Sequence, residues 1–170
     1  RALHALTIGS SFLGGQDTGI CCRAHLGLVV ISMHLGDHRL MCGDSTVITD
    51  VDKLINGSKP ILMVTDPPYG VNHDPSWRDE YCIGKRGFSD KHANSKGLVL
   101  NDNRMDWTDA YSLFPGDVAY IWHSAIYGAD VAQHLKNCDF KIISQIIWAK
   151  QHFSFGRWDY HWQHEPCWYV

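Results

Sequence analysis

The residues best suited to chemistry are Asp66-Pro67-Pro68-Tyr69-Gly70, which follow, after Thr65, on a strongly apolar run, Ile61-Leu62-Met63-Val64. Asp66 precedes a proline and is pushed out of the helical region. Pro67 is fixed by its own ring and by the proline after it, and Pro68 is fixed in turn. Neither proline has an N–H, so the segment presents acceptors, the Asp66 carboxylate and the Pro67 carbonyl, beside the aromatic face of Tyr69. That set suits one chemical problem. The exocyclic amino group of a nucleobase delocalises its lone pair into the ring and is a poor nucleophile. Two acceptors gripping its hydrogens, with the ring held on Tyr69, shift the nitrogen toward tetrahedral geometry and aim its lone pair at an electrophile. Catalysis of this kind works by positioning and electrostatics rather than proton abstraction. An amino group inside a duplex is out of reach, so the base has to be flipped from the stack at a cost of roughly a few kcal/mol. The plain alternative is a turn where a strand runs into prolines.

Other groups have competing readings. The stretch of residues 76–97 carries Arg78, Lys85, Arg86, Lys91 and Lys96 against Asp79, Glu80 and Asp90, a local charge of +2. Solvation accounts for that charge, and so does contact with backbone phosphates through Lys85 and Arg86 beside a flipped base. His161, His164 and Cys167 fall three apart, with Cys138 and His152 as possible partners, which suggests a zinc module. Structural zinc sites usually pair close doublets, however, and only one cluster exists here. No metal is therefore expected. Trp122, Trp148 and Tyr120 alternate with apolar neighbours and read as core.

The elements that must position these groups follow from pattern. Residues 26–31 look like a strand, but glycines interrupt the rest of residues 1–33, and that segment is left without a function. A hairpin-like entry over residues 35–44 leads to a helix with Val47, Val51, Leu54 and Ile55 at helical spacing, for which Asp44, Ser45 or Thr46 is the natural cap. Residues 59–65 read as a strand buried on both faces, as in parallel sheets. A long loop follows over residues 72–97, of the kind that is usually functional. Then come a helix near residues 107–113, a strand at 118–122, a helix at 125–137, a strand at 140–148, a loop at 150–164 and a strand at Cys167. That order predicts an α/β domain with a largely parallel sheet and right-handed crossovers.

Composition agrees and excludes several classes. Of 170 residues, 45% are apolar and 19% are charged, with a net charge of −3. Mean hydropathy is −0.22 and the pI about 6.4. A disordered chain has fewer apolar residues and more net charge, and no window supplies the roughly 18 apolar residues of a spanning helix. The pI leaves no overall basic footprint, so nucleic-acid binding has to rest on a local patch. Six scattered cysteines and no signal peptide point to a reduced, cytoplasmic chain. The chain starts at Arg1 and stops inside the apolar run Cys167-Trp168-Tyr169-Val170, so both ends look cut.

The Asp66-Pro67-Pro68-Tyr69 motif resembles that of the amino-methylating DNA methyltransferases, which use S-adenosylmethionine. Asp at its first position is more typical of the adenine-N6 enzymes than of the cytosine-N4 enzymes. Three flanking stretches are similar to the family's. Residues 35–45, ending Cys42-Gly43-Asp44-Ser45, resemble the segment whose acidic residue contacts the cofactor's adenosine. Residues 115–122 resemble the strand after the catalytic loop. Residues 145–170, with Trp148-Ala149-Lys150 and His161-Trp162-Gln163-His164-Glu165-Pro166, resemble the stretch before the target-recognition region of phage-like modification methylases. The resemblance covers residues 34–170 and implies a Rossmann-like, doubly wound fold, incomplete here. In permuted members the cofactor's Phe-x-Gly-x-Gly motif lies C-terminal to the catalytic one. It is missing, and Ser11-Phe12-Leu13-Gly14-Gly15-Gln16 is a near miss on the wrong side. The expectation is the catalytic part of a bacterial or phage adenine-N6 methyltransferase, truncated at the C-terminus, with double-stranded DNA as partner and no membrane. It gives Asp66, Pro67, Pro68 and Tyr69 to catalysis, Asp44 and Asp66 to cofactor binding, and Tyr69, Lys85 and Arg86 to DNA. A cytosine-N4 enzyme, a non-catalytic DNA-binding remnant and the zinc module are the alternatives.

Overall fold

Leu62 to Asp66 extend because a short apolar run finds its best burial in a sheet, and the five-stranded sheet is built around that strand. The computed structural model describes residues 5–9, 31–72, 101–154 and 159–170. In chain order the elements are β1 (Ala5–Gly9), β2 (Ile31–Leu35), β3 (His38–Cys42), α1 (Ile48–Ile55), β4 (Leu62–Asp66), α2 (Thr108–Tyr111), β5 (Val118–Trp122), a 3-10 turn (Ala125–Tyr127), α3 (Gly128–Asn137), β6 (Ser144–Ser154) and β7 (Trp162–Tyr169). The sheet runs β1-β4-β5-β7-β6, and β2 with β3 forms a separate hairpin.

The chain is α/β, but its sheet is mixed rather than largely parallel. β1 and β5 flank β4 in parallel, while β7 is antiparallel to both β5 and β6. The loop expected over residues 150–164 is for the most part strand. β6 continues to Ser154 and β7 begins at Trp162. So short a connection cannot carry the crossover that a parallel pair needs. The chain turns back as a hairpin, and β7 inserts between β5 and β6. The first 33 residues, left without a role above, supply the edge strand β1, with Gly9 opposite Asp66.

Burial alternates along the central strands. Met63 and Thr65 of β4 and Ala119 and Ile121 of β5 are buried, whereas Leu62, Val64, Val118, Tyr120 and Trp122 are half-buried. The expectation of a strand buried on both faces is thus corrected to one-sided burial among the described residues. The buried face packs against Trp107, Ala110, Tyr111 and Phe114 in and around α2 and against Val131 and Leu135 of α3, forming one apolar cluster. Val131 and Leu135, four residues apart, lie on one helical face, which is why α3 seats on the sheet.

The start of α3 is tied to the sheet by His123, just beyond β5. His123 is buried, stacks on Trp168 at 5.4 Å between ring centres, and donates from Nδ1 to the Ser124 carbonyl at 2.9 Å. That carbonyl assigns the proton to Nδ1, so Nε2 is left to accept from the Gln145 amide at 3.5 Å. The Trp168 indole donates to the Gly128 carbonyl at 3.0 Å. Burial pushes the His123 pKa below its ordinary 6.5. A histidine that is less basic folded than unfolded binds its proton more readily when unfolded. Its contribution to stability is therefore complete above the unfolded pKa and is lost as pH falls below that value toward the lower folded one. The melting temperature should drop between pH 7 and pH 5, and His123→Phe, which keeps the stack, should flatten the drop. An equal drop in the variant would assign it to other groups.

Candidate active site

β4 ends at Asp66, on the carboxyl side of a parallel pair, where open α/β sheets place their ligands. Its carboxylate is exposed, and Oδ1 accepts the Tyr69 hydroxyl at 2.7 Å. Among the described residues no donor reaches the second carboxylate oxygen or the Pro67 carbonyl. Pro67 is buried, and Pro68 and Tyr69 are half-buried. A carboxylate, a carbonyl and an aromatic ring thus come together within four residues, because two successive prolines turn the chain as soon as the strand ends.

The turn is held from outside by a segment that sequence reasoning did not single out for the site. Gly70 has φ 72°, and a Cβ there would lie 2.9 Å from the Met105 backbone nitrogen, so only glycine fits. The buried Asp102 accepts from the backbone N–H groups of Gly70 and Val71 at 3.2 and 3.4 Å, and its carbonyl accepts from Asn72 at 2.9 Å. The buried Trp107 donates its indole N–H to the Pro68 carbonyl at 3.0 Å. Arg104 lies 4.5 Å over the Trp107 ring and pairs with Asp109. The available clue was polarity out of place. Asp102 stands six residues ahead of α2, whose first turn already has an acidic residue, Asp109, and Trp107 carries a donor that burial obliges it to use.

β7 closes the other side. Burial raises the Tyr69 pKa well above the ordinary phenol value, the Asp66 carboxylate that accepts its hydroxyl adds to the rise, and Glu165 and Cys167 push the same way. Tyr69 therefore stays a neutral donor throughout the physiological range. The Cys167 thiol, also buried, is pushed up to about 11 and stays neutral as well. Glu165 is charge-paired with Lys150 of β6, while Asp66 has no cation partner among the described residues. Pro166 explains why the sheet opens here. It accepts from the His123 N–H at 3.2 Å but has no N–H to return, so the β5–β7 ladder ends where β5 does, beside the motif.

The remaining sequence-predicted residues are dispersed. Asp44 is exposed, and its Oδ1 accepts from the Thr46 N–H and hydroxyl at 2.9 and 2.7 Å while its own N–H donates to Asp50 at 3.0 Å. It shapes the turn before α1, whose N-cap position is Val47 with no side-chain cap, so the capping expected of Asp44, Ser45 or Thr46 is corrected to a turn one step earlier. No hydrogen bond joins Asp44 to Asp66 among the described residues. Lys85 and Arg86 lie outside them. His161 stacks on Phe153, and His164 lies edge-on to Trp162. Three residues apart on an extended strand put His164 and Cys167 on opposite faces, and the described residues contain no cluster able to hold a metal ion. Trp148, read as core, is instead 54% exposed and packs its edge on Trp122, because β6 lies at the sheet margin. No described helix is long and apolar enough to cross a membrane. Neither a family model nor a curated protein matches the chain.

Proposed function

We propose that the chain carries the catalytic motif of an adenine-N6 DNA methyltransferase of Rossmann-like, doubly wound fold, acting on a base flipped from double-stranded DNA. The observation that supports this reading is the Tyr69 hydroxyl bonded to Asp66 at the carboxyl end of β4. Among the described residues it leaves one Asp66 oxygen and the Pro67 carbonyl without a donor, beside an aromatic ring. The adenine amino group brings the two N–H donors that these acceptors lack. Held by both, its nitrogen pyramidalises, and its lone pair is released from the ring. The Tyr69 hydroxyl keeps the Asp66 carboxylate oriented, and its ring takes the face of the base. Pro68, fixed by Trp107, sets the angle of the turn, so the acceptors are placed before substrate arrives. S-adenosylmethionine, when bound, would supply the methyl group and leave as its neutral thioether, and the exposed carboxylates of Asp44 and Asp66 are the acceptors that would hold it. Lys85 and Arg86 supply the phosphate contacts.

Incubating the protein with duplex DNA and isotopically labelled S-adenosylmethionine, then digesting the DNA for mass spectrometry, tests this directly. Labelled N6-methyladenine is the expected product. N4-methylcytosine would move the target to cytosine, and an unlabelled digest would reject the enzyme reading in favour of a non-catalytic remnant. Tyr69 separates stacking from hydrogen bonding. Tyr69→Ala should lose about 1–3 kcal/mol of base affinity, whereas Tyr69→Phe, which keeps the ring, should lose much less. Equal losses in a binding titration with an extrahelical-adenine duplex would deny the ring its role.

A further inference from the structure

We propose that the outer edge of β6 pairs with β6 of a second copy of this chain, joining two five-stranded sheets into one. β6 is the last strand in the sheet, and among the described residues no strand lies beyond it. The backbone directions can be read from its neighbours. Ala119 and Val170 exchange both N–H···O bonds at 2.9 and 3.0 Å, and His123 donates to Pro166, so even-numbered residues from Pro166 to Val170 turn their backbone groups toward β5. Odd-numbered residues of β7 turn toward β6, where Cys167 faces Ile146 and Glu165 faces Trp148. The N–H and C=O groups of Gln145, Ile147 and Ala149 therefore point outward, in a row whose spacing matches the donors and acceptors of another extended strand.

Soluble proteins blunt such edges with proline, charge or a bulge. β6 has none of these before Lys150, since its register irregularity falls beyond Ala149 and Ser144 to Ala149 are uncharged. Ile146, Ile147 and Trp148 are 41%, 50% and 54% exposed, and they occupy both faces of the strand. The edge is also self-complementary. An antiparallel pairing with its twofold axis at Ile147 sets Ile147 against itself and Gln145 against Ala149. It places Ile146 against Trp148 twice, and a β-branched residue opposite an aromatic is a favourable cross-strand pair. Lys150 falls opposite Ser144, so no like charges meet. The pairing is isologous and closes as a dimer without leaving a free β6 edge.

Sedimentation velocity over a hundredfold concentration range tests the proposal, alongside hydrogen exchange of the wild-type amides. The expected result is a reversible dimer in which the Gln145, Ile147 and Ala149 amides exchange more slowly as concentration rises. Ile147→Lys, which sets two lysines together at the axis, should weaken the dimer at least about tenfold with an unchanged circular dichroism spectrum. A monomer at every concentration overturns the proposal, as does a dimer in which these amides exchange at a constant rate. A monomer with protected edge amides would assign the edge to another segment of the same chain and overturns it equally. The wild-type exchange data decide even if the lysine variant does not fold.

Discussion

Asp66→Asn is expected to lower methyl transfer to DNA by about 10²–10³-fold while leaving the fold intact. The amide is nearly isosteric with the carboxylate, and its oxygen still accepts the Tyr69 hydroxyl. In the proposed mechanism its NH₂ group, however, replaces the acceptor for the adenine amino group, so a donor meets a donor. The charge is lost too, and with it the field that favours positive character developing on the reacting nitrogen. Stability should hardly change, because the Asp66 side chain is exposed and such substitutions usually stay within about 0.5 kcal/mol. The measurement is the initial rate of label incorporation at saturating cofactor, with a melting curve as control. A variant with wild-type rate would show that Asp66 does not hold the amino group. One that is slow only because it melts early would show a structural role instead.

Trp107→Ala should have the largest effect on stability. Its ring lies in the core cluster, and removing a buried aromatic costs about 3–5 kcal/mol. For a chain of this size each kcal/mol lowers the melting temperature by about 2–4 °C, so a fall of about 6–20 °C is expected. Trp107→Phe dissects that figure. It keeps most of the packing but removes the donor to the Pro68 carbonyl, at a cost of about 1–3 kcal/mol for a polar group left unpaired. Because Pro68 sets the turn that carries Asp66 and Tyr69, Trp107→Phe should also slow methyl transfer more than its loss of stability explains. A Trp107→Phe protein as stable and as active as wild type would show that the indole N–H does not hold the motif.

Much of the site could be read from local chemistry. Two prolines constrain their own backbone and that of the residue before them, so the strand ending at Asp66 and the turn that follows needed no tertiary information. The one-sided burial of β4 did need it. The run Ile61-Leu62-Met63-Val64 is apolar at every position, and a run without alternation says nothing about which face a helix will cover. Trp148 was misread for a related reason. Its alternation with apolar neighbours is genuine, but β6 is an edge strand, and edge position depends on strand order. The hairpin over residues 144–169 was hidden because Pro166 and the histidines read as loop. Pro166 is tolerated in an inner strand only because its neighbour β5 ends at that point.

The sequence by itself determined the α/β class, the strand that ends at Asp66, and the group of acceptors and aromatic ring that follows it, because each rests on contacts between residues close along the chain. The tertiary structure decided what depends on distant partners. Asp102 and Trp107 clamp the motif from more than thirty residues away, and β7 inserts antiparallel beside β5. Glu165 and Cys167 are brought to bear on Tyr69, and Trp148 is left at an open edge. Hydrogen-bond satisfaction and close packing act between groups wherever the chain brings them, and spacing along the sequence carries no record of those meetings.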